Sequence, residues 1–274
     1  MKKNFKKVSH VILGALALHS IGAQAESYRL GVDSLSLQGT EMRGSRGESA
    51  ILGGIQIQEN DLFAKPKDKT INIAESEVRL TGSAGVAKAD SSITSSKYAQ
   101  GVSLVGKRDW GKQFGDSACG TYLSGGVNYE VSMLSAGEHF ITQSGQAHLR
   151  TGVGILCSDG KSFATLVQPI VGAGADVQTG GTVDVGGRVK FILGNKVALT
   201  AEMVKKLSMK ELVVESDAKN AGYDASVGVQ LVVHKDLVIG VDARSSGQLN
   251  RQPAADGSTN TRIEQLTLTA GAAF

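Results

Sequence analysis

Beyond its first 25 residues, this 274-residue chain has no apolar run approaching the ~20 residues that a membrane-spanning helix needs. That absence excludes a helical membrane protein. Sustained helical periodicity is hard to find, and only three prolines interrupt the chain. Cysteine is limited to Cys119 and Cys157. Neither follows the apolar stretch near the amino-terminus, so a lipoprotein is excluded. The G-x-S-x-G, H-E-x-x-H, C-x-x-C and calcium-loop patterns are all missing. No cofactor, metal or enzymatic activity is expected. Aromatic residues make up only 5%, so the places where they gather carry information.

What is present begins with MKKNFKKVSHVILGALALHSIGAQA. Lys2, Lys3, Lys6 and Lys7 form a basic head, an apolar stretch runs over residues 8–21, and Ala23-Gln24-Ala25 is an A-x-A cleavage site. This pattern predicts an export signal over residues 1–25, cleaved before Glu26, and a mature domain over residues 26–274. Cleavage takes four lysines and no acid. The remaining 25 basic residues face 26 acidic ones, and the net charge moves from +3 to −1. The pI of 8.8 therefore belongs largely to the targeting segment and implies no nucleic-acid partner.

Period-two alternation recurs through the rest, clearest over residues 51–57, 121–133, 147–157, 183–193, 197–203, 223–233 and 237–243. Over 183–193, Val183, Val185, Gly187, Val189, Phe191 and Leu193 face one way, while Asp184, Gly186, Arg188 and Lys190 face the other. The chain closes the same way: Leu266, Leu268, Ala270, Ala272 and Phe274 form an apolar or small face ending on an aromatic. Connections alternate in length. Counting back from the end, tight turns fall at 234–236, 194–196 and 158–161, with longer stretches at 246–260, 208–220, 177–182 and 135–145. Further back, turns near 108–118 and 64–69 alternate with loops near 89–95 and 39–49. The total is twelve strands, about 21 residues per strand and connection, which suits membrane-crossing strands of ~9–11 residues. Ten or fourteen also fit, because residues 27–38 and 70–88 are ragged. In the first of these the apolar parity slips between Leu30/Val32 and Leu35/Leu37, as a bulge would cause.

Two groups of residues test this arrangement. Phe63, Phe114, Phe163, Phe191 and Phe274 fall at or near one set of strand ends, and Tyr98 and Tyr223 at the other, as interfacial girdles would. Cys119 and Cys157 are equidistant from residue 138, inside the 135–145 loop. A hairpin about that loop brings them opposite one another, close enough for a disulfide; two free thiols are the alternative. Pro169 counts against the scheme, because a closed barrel has no edge strand to hide a missing N–H, and a bulge is the expected repair.

The inward parity collects Glu77, Arg79, Asn128, Glu130, His148, Arg150, Gln168, Asp176, Asp184, Arg188, Lys190, Glu202, Asp224, Gln230, Asp242 and Arg244. An arginine or lysine facing lipid at mid-membrane costs about 2–4 kcal/mol, which forces such a segregation. Glu130, His148, Arg150, Asp184, Arg188, Lys190, Glu202, Asp224, Asp242 and Arg244 are thus candidates to line a lumen. They would either border a narrow aqueous pore or pair across the lumen and fill it. Mixed signs argue against strong ion selectivity. His139 and His234 read as solvated surface, and His148 as an inward neighbour of Arg150. Residues 101–108 nearly spell a P-loop, but Arg108 stands where a Ser or Thr is required, so a strand running into a turn is the better reading.

Signal, alternation, turn asymmetry and terminal Phe274 together resemble a bacterial outer-membrane β-barrel. The resemblance implies a single all-β, antiparallel, up-and-down transmembrane barrel. It also implies Sec export into the envelope of a Gram-negative bacterium and insertion in outer-membrane lipid by the β-barrel assembly machinery, with residues 266–274 as the assembly signal. The function expected is a small passive porin-like channel for polar solutes. The alternative is a structural or interaction protein with a side-chain-plugged lumen; a membrane hydrolase or a soluble secreted β protein is less favoured. Oligomeric state is left open.

Overall fold

A computed structural model describes residues 28–29, 34–44, 47–67, 70–88, 96–114, 118–136, 139–159, 163–177, 180–193, 196–209, 220–234, 237–249 and 260–273. The expected export signal and Phe274 lie outside the described residues. The strands are β1 (Tyr28–Arg29), β2 (Ser34–Gly44), β3 (Ser49–Lys67), β4 (Thr70–Lys88), β5 (Lys97–Phe114), β6 (Cys119–Ala136), β7 (His139–Ser158), β8 (Phe163–Asp176), β9 (Gly180–Leu193), β10 (Val197–Ser208), β11 (Asn220–His234), β12 (Leu237–Leu249) and β13 (Asn260–Ala273).

From β2 to β13 each strand pairs antiparallel with the next, and β13 pairs back onto β2, so twelve strands close an up-and-down barrel. The short β1 pairs with β3 at Tyr28↔Ala64 in the register that Ser34↔Gln58 continues. The bulge expected at the parity slip falls on residues 30–33, which lie outside the described residues. Followed once around the ring, the pairings return displaced by about 16 residues along β2. With twelve strands, that stagger corresponds to a tilt of about 40–45° and a mean backbone radius of roughly 12–13 Å.

Alternation sorts the faces as expected. On β2, Leu35 and Leu37 are exposed on the outside while Ser34, Ser36 and Thr40 are buried within. Ile51, Ile55, Val102, Leu149, Val153, Val171, Val227, Val241 and Leu268 continue the exposed apolar exterior around the ring. Phe114 ends β5 and Phe163 opens β8, where it meets Phe191 edge to face at 5.8 Å, and exposed Trp110 lies toward the same end. Tyr98 marks the other end.

Three expectations are corrected. Residues 135–145 form no long loop: β6 runs to Ala136 and β7 begins at His139. The inner connection near 108–118 is also shorter, since β5 continues to Phe114. Pro169 needs no bulge. It pairs with Gly187 on β9, while pairing with β7 lapses between Gly152↔Ile170 and Ile155↔Val167 and resumes in the same register. The missing N–H is absorbed as a short gap in one ladder.

Candidate functional site: a lumen crossed by ion pairs

The inward faces of the twelve strands meet in three layers. The middle layer is charged. Arg150 on β7 donates from Nε to Asp184 on β9 at 2.9 Å and from Nη1 to Glu202 on β10 at 2.6 Å. Lys107 on β5 lies 3.5 Å from Glu202 and 3.6 Å from Asp109, and Asp109 in turn accepts from Arg188 on β9. Arg188 also donates to Gln168 on β8 at 2.9 Å, and Gln168 donates to Ser124 on β6 at 2.8 Å. A second group forms around Arg244 on β12. Its guanidinium grips Glu130 on β6 through two bonds of 2.8 and 2.6 Å and lies 3.6 Å from Asp224. Lys206 on β10 pairs with Asp224 at 2.7 Å and approaches Asp176 at 3.8 Å. Arg79 and Asp242 stand 4.0 Å apart.

The Arg244–Glu130 contact sets the shape of the barrel. β6 and β12 stand six places apart on a ring of twelve, so they face each other across the lumen. A circular section would hold their backbones about 25 Å apart, whereas an arginine, a glutamate and the bond between them span ~14 Å. The section is therefore flattened along this axis. The outer wall records the same distortion. A concavity of about 970 Å³ crosses the outside of β8–β13, floored by the small residues Gly187, Ala201, Ala225 and Ala243.

Local sequence makes the crossings feasible. His148 and Arg150 on β7 reach Asp184 over the intervening β8, which presents Gly172 and Gly174 at those positions. A Cβ at Gly174 would collide with the His148 ring, and one at Gly172 with the Arg150 side chain. His148 Nδ1 comes within 2.9 Å of Asp184 Oδ2, yet off the direction a hydrogen bond requires, and neither ring nitrogen has a hydrogen-bond partner among the described residues. Asp184 Oδ1 and Thr182 Oγ1 are likewise buried without one.

Apolar clusters bound this layer. Toward the end where β2 begins and β13 stops, Tyr122, Leu156, Ala164, Leu166 and Ile192 pack inside the wall of β6–β9. Toward the other end, Met42, Ala50, Leu52, Ala87, Ala99, Leu134 and Ala136 pack inside β2–β6. Between them remains a chamber of about 310 Å³, with the charged residues on one side and Gln38, Thr40, Gln56, Thr81, Gln265 and Thr267 on the other.

The lumen candidates read from sequence thus come together. Glu130, Arg150, Asp184, Arg188, Glu202, Asp224, Asp242 and Arg244 join the charged layer, and His148 and Lys190 are buried on the inner face. The side chain of Glu77 falls outside the described residues. Lys107, Asp109, Gln146 and Lys206 are additional members; Gln146 donates to Glu130 at 2.8 Å. The strand boundaries read from sequence hid Asp109, by placing 108–118 in a connection, and Lys206, by ending a strand at 203; Lys107 and Gln146 stand next to the stretches 108–118 and 135–145 read as connections. The inward apolar clusters were also missed, although the parity of Tyr122 with Glu130 points to one. Cys119 and Cys157 pair directly across β6 and β7 and form a disulfide. Leu266, Leu268, Ala270 and Ala272 face outward on β13.

No known family model matches the chain, and comparison with curated proteins finds no match. Solved structures similar to it include an outer-membrane channel from Pseudomonas putida F1, with 10% identity over 93% of this chain and 98% of that one and a TM-score of 0.46. The β domain of the Bordetella autotransporter BrkA shares 11% identity over 89% and 99%, with a TM-score of 0.38. Outer-membrane phospholipase A from Escherichia coli shares 11% over 92% and 94%, with a TM-score of 0.34. The likeness is one of overall shape. The chain is an all-antiparallel, twelve-stranded up-and-down β-barrel similar in form to barrels of the bacterial outer membrane.

Proposed function

We propose that this protein resides in the bacterial outer membrane as a gated solute conduit, closed at rest by its own side chains. The observation that carries the reading is the ion-paired layer, in which Arg244 and Glu130 join opposite walls. An open porin would leave such residues apart, lining water. The exposed apolar exterior suits hydrocarbon, and outward Leu266, Leu268, Ala270 and Ala272 suit a terminal strand read by the assembly machinery. The polar lining of the chamber supports passage of small polar solutes rather than chemistry. The test is planar-bilayer recording of the refolded protein. We expect a largely silent wild type with rare small openings, and steady conductance from Arg244→Ala/Glu130→Ala. A wild type with large steady conductance defeats the closed state.

A second reading is a permanently plugged structural barrel. The apolar packing at both ends of the lumen favours it. Silence from the double variant, with heat-modifiable folding intact, would establish this reading instead.

A further inference from the structure

We infer that the central chamber selects small neutral polyols, of monosaccharide size or below, over ions of similar size. The inference rests on the conduit reading and names its solute class. Three features of the chamber lead to it. Its volume, about 310 Å³, sets the size limit. Its charged wall presents four cations, Arg79, Lys107, Arg150 and Arg244, against four anions, Glu130, Glu202, Asp224 and Asp242. These are drawn into mutual pairs, so the wall carries no net charge to draw in an ion of either sign. The facing wall is made of amides and hydroxyls.

That uncharged wall is already cross-linked. Thr40 and Thr267 hydroxyls are 3.1 Å apart, Gln265 donates to Thr267 at 3.2 Å, and Gln56 donates to Gln58 at 3.2 Å. A glutamine carries two donor hydrogens and an accepting carbonyl, and a threonine hydroxyl both donates and accepts. Such a wall matches a solute whose groups also do both, which is what a polyol offers. A carboxylate can only accept and an ammonium can only donate.

The way in adds discrimination of the same sign. The chamber is bounded toward the end opposite the start of β2 by Met42, Leu52 and Leu134, which belong to the apolar cluster there. A charge passing an apolar constriction loses far more hydration energy than a hydroxyl does.

The test is osmotic swelling of liposomes containing the refolded full chain, with isosmotic glycerol, ribose, sodium lactate or choline chloride. We expect swelling with glycerol and ribose at least about tenfold faster than with either salt. Gln56→Leu/Thr267→Val removes two of the six polar side chains of the matching wall and leaves every ion pair in place; it should lower polyol swelling about tenfold while the salt rates stay put. Heat-modifiable migration confirms that the variant folds. Equal rates for polyols and salts, or an unchanged polyol preference in the variant, overturn the inference and leave the conduit standing. If no solute causes swelling, in the wild type and in Arg244→Ala/Glu130→Ala alike, the conduit itself is wrong and the inference falls with it.

Discussion

Replacing Arg244 by methionine tests whether the lumen is closed, through stability alone. In the wild type its guanidinium makes two charge-assisted bonds to Glu130 and lies near Asp224, with side-chain exposures of 29% for Arg244 and 12% for Glu130. Methionine keeps most of the volume and leaves Glu130 without its cation. Breaking a buried pair by removing one partner costs about 3–5 kcal/mol, whereas an exposed pair is worth about 0–1 kcal/mol. The partial exposure of Arg244 moves the expectation to about 2–3 kcal/mol. Pairing Arg244→Met with Glu130→Gln removes the stranded charge and should restore most of this loss. Urea unfolding in lipid vesicles reads both effects; with a slope of a few kcal/mol/M, the single variant should lose roughly 1 M in midpoint. A loss below about 1 kcal/mol would mean that water already reaches the pair. The lumen would then be open, and the reasoning about a closed charged layer would fail.

Gly174→Ala should cost about 2 kcal/mol or more, because its Cβ collides with His148, while Gly53→Ala, with open space around it, should stay within about 0.5 kcal/mol; the same urea titration separates them. Leu268→Arg places a cation on the exposed outer face of β13 and should cost about 2–4 kcal/mol in vesicles, whereas a negligible cost would show that this face does not contact hydrocarbon. The oxidised protein should show no reactive thiol before reduction, and Cys119→Ser/Cys157→Ser, opening a crosslink across 38 residues, should lose about 3–4 kcal/mol; ready alkylation without reductant would count against the pairing.

Strand number and the sorting of faces were legible because period two is a local property. Each strand reports its own alternation, and Leu35, Val189 and Leu268 point outward wherever their neighbours stand. The cysteine pair was legible for a related reason: a hairpin maps sequence symmetry directly onto cross-strand partners, and Cys119↔Cys157 follows. Partners across the lumen were not legible. That Arg244 meets Glu130, 114 residues away, depends on the cumulative stagger of all twelve ladders and on the flattening of the section. No local pattern encodes either. Asp109 and Lys206 were hidden by misplaced strand ends, where glycines and charges blur the alternation.

Why the lumen is filled with charges bears on whether it opens. An apolar filling of the same volume would be as stable or more so, because desolvating two ions offsets most of the attraction between them. That near-balance has a consequence for motion. When Arg244 and Glu130 separate, water can take over the bonds that each gave the other, and the apolar clusters around Leu156 and Leu52 lose contacts at only the two ends. On the conduit reading, the closed and open states would then differ by a few kcal/mol, within reach of thermal or solute-driven opening. An all-apolar filling would have to expose its whole surface to water, at about 25 cal/mol for each Å². A barrel that must hold shape but never conduct gains nothing from ion pairs over leucines. A barrel that must close and still reopen is served by charges in the middle and small apolar clusters toward the ends, which is the order found along this lumen.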